Sequence, residues 1–316
     1  DIGLIVFNMG ESYGEKKMSR AELKTNFDFC HSNKFAAKGK ELDNRIYMYC
    51  DKGNPADLFW SMEISQQGAV VDIKAGASNI TLHNLELRCG ISGFFPSYSS
   101  NIKVSYCIFA WRGGDCFDDG RLGGGAGCGH SCDTMIFEHC YFYQQFDSGV
   151  TPQYHMTDKE PCIYKNFRTT ACLFEYCEYP FEYFLNQSTS KDEKLIDTYF
   201  GYNFVRKTGY GFGDKPTESA CVKSWTHPNP QENFVIEKNI FDRPIVRVLD
   251  MGAKTQDDKF DFKLFPKMNN NVYITVKNRG AIRLNGQSFR FNEKGYEELK
   301  KLGFETNAVY MFCDKY

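Results

Sequence analysis

Apolar and polar residues alternate along this chain in short runs, and long helical stripes are rare. Six segments share one pattern: Asn79–Leu85, Asn101–Cys107, Thr134–Cys140, Ala171–Cys177, Asp197–Asn203 and Asn233–Asn239. Period-two alternation sends successive side chains to opposite faces, so each segment predicts a strand. The last positions, Leu85, Cys107, Cys140, Cys177, Asn203 and Asn239, are spaced 22, 33, 37, 26 and 36 residues apart. The shortest spacing suits one turn of a three-sided β-solenoid, and the longer ones suit turns with loops inserted on one side. Asn at an inward bend bonds the backbone of the neighbouring turn, and Cys fills the same small space. These six residues are therefore expected to stack as one inward column.

After Asn239 the pattern weakens. Asn271–Val276 predicts one more strand. Asn292 then opens a helix carrying Tyr296, Leu299 and Leu302 on one face, and Gly303 ends it. A helix at this point would plug the exposed strand edges of a terminal turn. The expected organisation is an all-β solenoid over residues 1–287 and a helix and cap over 288–316. Asp1–Phe7 reads as a strand already under way and lacks a signal-peptide layout. The chain is thus expected to start partway into a longer protein. That leaves localisation open between the cell surface or exterior and the cytoplasm of an anaerobic bacterium.

Composition narrows the function. A formal charge of −2 excludes a basic nucleic-acid binder, and no run of 18 apolar residues predicts a membrane-spanning helix. The 13 Cys are an odd number that cannot fully pair, in a chain long enough to fold without disulfides. They read as small buried residues, and Cys107, Cys140 and Cys177 are expected to be free thiols. With 28 Phe, 19 Tyr and 3 Trp, the chain has more aromatics than a core requires, and aromatics serve as platforms for flat ligand faces.

Several stretches resemble the bacterial right-handed parallel β-helix repeat proteins of the pectate-lyase-like superfamily. They are Trp111–Gly114, the glycine-rich loop from Arg121 to Gly129, Tyr143–Gln153, Phe181–Leu185, Gly209–Gly213, Val222–Trp225 and Asn239–Arg243. The resemblance spans nearly the whole chain and is most specific from Trp111 to Gln153. It implies a single-stranded right-handed β-helix and a carbohydrate setting, without a particular reaction. Cys128, His130 and Cys132 depart from the usual glycine-rich loop.

Aligning the turns on the bend column places Arg112, Gln145 and Glu182 five residues past it and Asp147 seven past it. Trp111, Gln144, Phe181, Phe146 and Tyr183 fall at the intervening, inward offsets. The polar set is expected to point outward, with Asp147 and Glu182 close enough for two-carboxylate glycoside hydrolysis. Arg112 and Arg121 could bind a uronate or stabilise negative charge. Gln153, His130 and Lys223 complete the candidate substrate contacts. Asp119, in the cluster Asp115, Asp118 and Asp119, is a third candidate acid. Such acids act in acid/base chemistry or as Ca²⁺ ligands; no cofactor is expected, with Ca²⁺ as the alternative at this cluster. Cys128-x-His130-x-Cys132 is tighter than zinc spacing, so no metal is assigned to it. His83 and His139 fall at solvent-facing strand positions. The competing reading is structural: Asp147 satisfies loop backbone, and Glu182 pairs with Arg206 or Lys223.

The expected function is a carbohydrate-active enzyme, a glycoside hydrolase rather than a lyase. It would act in a groove built by loops after Cys107, Cys140 and Cys177. The alternative is a non-catalytic β-helix that binds glycan or forms part of a surface structure.

Overall fold

The alternating segments form strands, and the strands collect into three long, mainly parallel sheets. The computed structural model describes residues 2–32, 43–117, 120–153, 161–185, 194–213, 215–225, 230–251, 265–279, 281–284 and 286–314, without the side chains of 115–117 and 120–122. From Ser78 onward the chain passes from one sheet to the next and back in repeated circuits. Sheet I holds Ser78–His83, Ser97–Ser105, His130–Glu138, Ile163–Thr170, Tyr199–Gly201, Val235–Glu237 and Lys267–Asn269. Sheet II holds Glu86–Arg88, Ile108–Arg112, Tyr141–Gln145, Leu173–Glu175, Phe204–Arg206, Ile240–Asp242, Val272–Val276 and Val309–Cys313. Sheet III holds Ala126–Cys128, Ser148–Pro152, Tyr179–Glu182, Ala220–Ser224, Arg247–Met251 and Ala281–Leu284, with Gln287–Arg290 added antiparallel.

One apolar cluster draws residues from all three sheets. In sheet II, Phe109, Phe142 and Phe174 pair in register, and their rings stack 4.7 Å apart with planes within 6°. That interval is the strand spacing itself, so backbone pairing and ring stacking reinforce each other. Each fully buried Phe contributes about 1.5–3 kcal/mol.

The corners explain why the alternation is broken. Between sheets I and II, Tyr106, His139, Ala171, Tyr202, Lys238 and Asn270 all have φ between +51° and +59°. Between sheets II and III, Trp111, Gln144, Tyr176, Lys207 and Arg243 have φ between +47° and +55°. A left-handed residue turns the chain sharply and shifts the inward phase by one position. The residues after the first corner form the inward bend column: Cys107, Cys140, Cys172, Asn203, Asn239 and Asn271.

Cys177 is therefore not in that column. It follows the second corner at Tyr176, as Arg112 follows Trp111 and Gln145 follows Gln144. Both bends of this circuit end in cysteine, and the three-residue strand Leu173–Glu175 fits either alignment. The expected outward placement of Arg112 and Gln145 falls with it. Both side chains are fully buried, and Gln145 Nε2 donates to the carbonyls of Phe109 and Tyr143 at 2.8 Å each. Trp111 packs with Leu4, Val6 and Ala110, apart from the main cluster. Cys107, Cys140, Cys172 and Cys177 are free thiols.

The N-terminal strand Ile2–Phe7 is buried and pairs antiparallel with Met62–Ala69 and Ser12–Tyr13. The expected helix runs over Glu293–Lys301; the Asn292 side chain accepts from Gly295 N at 2.9 Å, and Gly303 has φ +82°. It does not end the molecule's sheets, because Val309–Cys313 adds a further strand to sheet II.

Candidate functional site

Sheet III concentrates charge on its outer face. Val150, Phe181, Val222, Leu249 and Ile282 face the core. The residue after each one points the other way: Thr151, Glu182, Lys223, Asp250 and Arg283. Glu182 pairs with Lys223, Lys223 with Asp250, and Asp250 with Arg283, one strand spacing apart.

Glu182, Lys223 and Asp250 are buried, so their charges must be balanced locally. Asp250 accepts from Lys223 Nζ at 3.0 Å, Arg247 Nη1 at 3.2 Å, and Arg283 Nε and Nη2 at 2.5 and 2.8 Å. Three cations around one carboxylate fix the row. Glu182 is held differently: its Oε1 accepts from the indole Nε1 of Trp225. Trp225 stays 38% exposed, Lys223 Nζ lies 4.0 Å from the indole centroid, and Tyr179 packs edge-on at 5.6 Å. Gln153 bridges to Phe184 on the next circuit. The face therefore offers an exposed aromatic platform, a held carboxylate, a cation and an amide.

Of the residues anticipated from sequence, Glu182, Lys223 and Gln153 come together on this sheet. Asp147 does not join Glu182. It precedes the strand Ser148–Pro152, its carbonyl accepts from Tyr179 N at 3.0 Å, and it lies in register with Glu178. Glu182 is four residues further on, about 13 Å along an extended strand. That is well beyond the separation of about 8 Å between their Cα atoms that alignment on the bend column predicts. The misassigned bend produced the closer pairing.

Arg112 sits inside the corner between sheets II and III. Its Nη1 donates to Ser92 O at 3.0 Å, and burial pushes its pKa down to about 9. His130 begins a sheet I strand, stacks on Tyr98 at 4.4 Å and is 3.0 Å from Ser131 Oγ through Nδ1. For Arg121 only the backbone is described, in a two-stranded pairing with Asp115–Phe117. Asp118 and Asp119 lie outside the described residues. Cys128 and Cys132 are buried, and Cys128 Sγ donates to the carbonyls of His130 and Ser131 at 3.6 and 3.5 Å. Among the described residues no group of three His, Cys, Asp or Glu side chains could hold a metal ion.

Trp225, Asp250 and Arg283 were not anticipated, although the sequence carries a signal for the row. A charge follows an apolar residue near the end of four strands: Phe181-Glu182, Val222-Lys223, Leu249-Asp250 and Ile282-Arg283. Isolated charges in otherwise apolar strands, of alternating sign, mark an outward ladder.

No protein-family model, curated protein or solved structure matches this chain. Among the described residues, no helix is long and apolar enough to cross a membrane. The functional reading therefore rests on the chemistry of sheet III.

Proposed function

We propose that the chain is a single-stranded right-handed parallel β-helix that binds carbohydrate along the outer face of sheet III. The repeated visits to three sheets in the same order support the solenoid reading. The observation that carries the binding reading is Trp225: an exposed indole held in place by Glu182 and Lys223, with Tyr179 against its edge. Sugar rings present apolar C–H faces that stack on such a platform, while the half-buried Gln153 can supply a polar contact to their hydroxyl groups.

The test is titration of the protein with an oligosaccharide library, followed by tryptophan fluorescence. Trp225→Ala should lower affinity for any bound glycan at least tenfold. Equal affinity in wild type and variant would move the site off sheet III.

Hydrolysis is a second reading, favoured by the burial of the Glu182 carboxyl beside an exposed platform. If it operates, reducing-end assays should detect product with the wild type, and Glu182→Gln should abolish it while retaining binding. Binding without product in the wild type leaves the non-catalytic reading standing.

A further inference from the structure

The corner between sheets I and II displays a ladder of side chains on the surface, far from sheet III in the chain's circuit. Its rungs are tied one to the next by backbone bonds. Tyr106 N donates to Glu138 O at 3.1 Å, His139 N to Thr170 O at 3.2 Å, Ala171 N to Gly201 O at 3.4 Å, and Tyr202 N to Glu237 O at 3.3 Å. Tyr106, His139, Ala171 and Tyr202 are therefore successive rungs, each about 4.8 Å from the next. All four share the same left-handed backbone, so their side chains leave the corner in the same direction.

Three of these rungs carry rings and one does not. Tyr106 and His139 stack with centroids 5.0 Å apart and planes within 17°. Tyr202 is 56% exposed and lies against Lys238, whose Nζ contacts its hydroxyl at 2.9 Å. Between His139 and Tyr202 stands Ala171, exposed and without a ring. His139 and Tyr202 are two rises apart, about 9.6 Å, which leaves one ring-sized place over Ala171. Inside the protein, consecutive rings at this rise are in stacking contact, as Phe109, Phe142 and Phe174 are.

We infer that the empty rung over Ala171 is a subsite for one pyranose ring, sandwiched between His139 and Tyr202. A chair-form sugar presents C–H groups on both faces, which can pack on His139 and Tyr202 at once, and its hydroxyls leave the ring near its plane, toward the polar side chains that flank the slot. The exposed Glu138 and half-buried Thr170 stand beside the slot, in register with each other, and can bond equatorial hydroxyls. The slot does not depend on the sheet III reading. It adds a second point of carbohydrate contact, on another face of the same protein.

The experiment fills the rung from the protein side. Ala171→Tyr places a ring in the slot at a backbone conformation that His139 and Tyr202 already accept with rings. The full chain is titrated with methyl β-glucopyranoside and methyl β-galactopyranoside, and the imidazole resonances of His139 are followed by NMR. The wild type should show saturable shifts at His139. Ala171→Tyr should weaken them at least tenfold, as should Tyr202→Ala, while Trp225→Ala leaves them unchanged. Shifts that persist in folded Ala171→Tyr, or that vanish in Trp225→Ala, would overturn the assignment, as would no shift at His139 with either glycoside. Loss of oligosaccharide binding in Trp225→Ala with His139 shifts intact would uphold both sites separately.

Discussion

Cys107, Cys140 and Cys172 occupy the N-terminal half of the bend column, and Asn203, Asn239 and Asn271 occupy its C-terminal half. The position is geometrically the same; the chemistry differs. In the asparagine half, the Oδ1 atoms of Asn239 and Asn271 each accept both the backbone N–H and the Nδ2 of the preceding rung. Asn203 N and Nδ2 reach Asn239 at 3.0 and 3.1 Å, and Asn239 N and Nδ2 reach Asn271 at 2.9 and 3.1 Å. Each Nδ2 also donates to a carbonyl of the preceding circuit, on Thr169, Phe200 or Ile236. In the cysteine half the contacts are longer. Cys140 N approaches Cys172 Sγ at 3.4 Å, and Cys172 Sγ reaches the Phe137 and Thr170 carbonyls at 3.8 and 3.3 Å. Thiols are weak partners, so this half holds together through the Phe109–Phe142–Phe174 stack beside it. One half is fastened by packing, the other by a buried amide chain. The junction is the bond from Cys172 N to Asn203 Oδ1, at 3.0 Å.

The strongest challenge to this contrast is Asn239→Ala. It removes the acceptor for two donors of Asn203 and the donor to Phe200 O, in a site with no exposure. Leaving buried groups unsatisfied costs about 1–3 kcal/mol apiece, so a loss of about 3–5 kcal/mol is expected by urea unfolding. A loss under about 1 kcal/mol would mean the amide chain is ornamental.

The chain of amides ends on an acid. Glu305 Oε1 accepts from Asn271 Nδ2 at 2.7 Å and from Tyr273 OH at 2.6 Å, and Glu305 is fully buried. Burial raises its pKa from 4.5 to about 7, against the opposing effect of those hydrogen bonds. The folded pKa exceeds the unfolded one, so the associated stability is complete below about pH 4.5 and is lost as the pH rises through about 7. That interval corresponds to about 3 kcal/mol. Glu305→Gln should remove this part of the pH dependence, making the variant more stable relative to wild type at pH 8 than at pH 4. Parallel stability profiles for the two proteins across that range would refute a neutral Glu305 in the fold.

Much of the fold was legible because alternation, polar corner residues and the helix at Glu293–Lys301 are local signals. Cys107, Cys140, Asn203 and Asn239 fell in the right column for that reason. The failure at Cys177 has a physical cause: four residues separate the bends at Ala171 and Tyr176, as in the neighbouring circuits, but here both bends are followed by cysteine, so both cysteines satisfy the same local pattern. Only pairing with Asn203 separates them, and pairing is not local. The site suffered twice. Left-handed residues at Trp111 and Gln144 turned Arg112 and Gln145 inward, which strict alternation cannot foresee. The shifted bend then paired Glu182 with Asp147 when its neighbours are Lys223 and Trp225. Lys223 had been anticipated as a partner of Glu182 only in the structural reading.

The smallest expected effects lie at the junction, where the two halves can be exchanged. Cys172→Ala removes one buried sulfur and its long contacts, with an expected cost of about 1–2 kcal/mol. Cys172→Asn should recover most of that. Its Oδ1 would accept from Cys140 N, its Nδ2 would face Asn203 Oδ1 and the Phe137 carbonyl, and the amide chain would grow by one rung. Two new hydrogen bonds are worth about 1 kcal/mol each, against about 1–3 kcal/mol for the bulkier side chain beside Phe142 and Phe174. The balance is near zero, so Cys172→Asn should unfold within about 1 kcal/mol of wild type and above Cys172→Ala. If it unfolds well below Cys172→Ala instead, the ring stack of the cysteine half has no room for an amide. The change from Cys to Asn along the column would then follow from the space each half leaves, and not from interchangeable ways of closing the same bend.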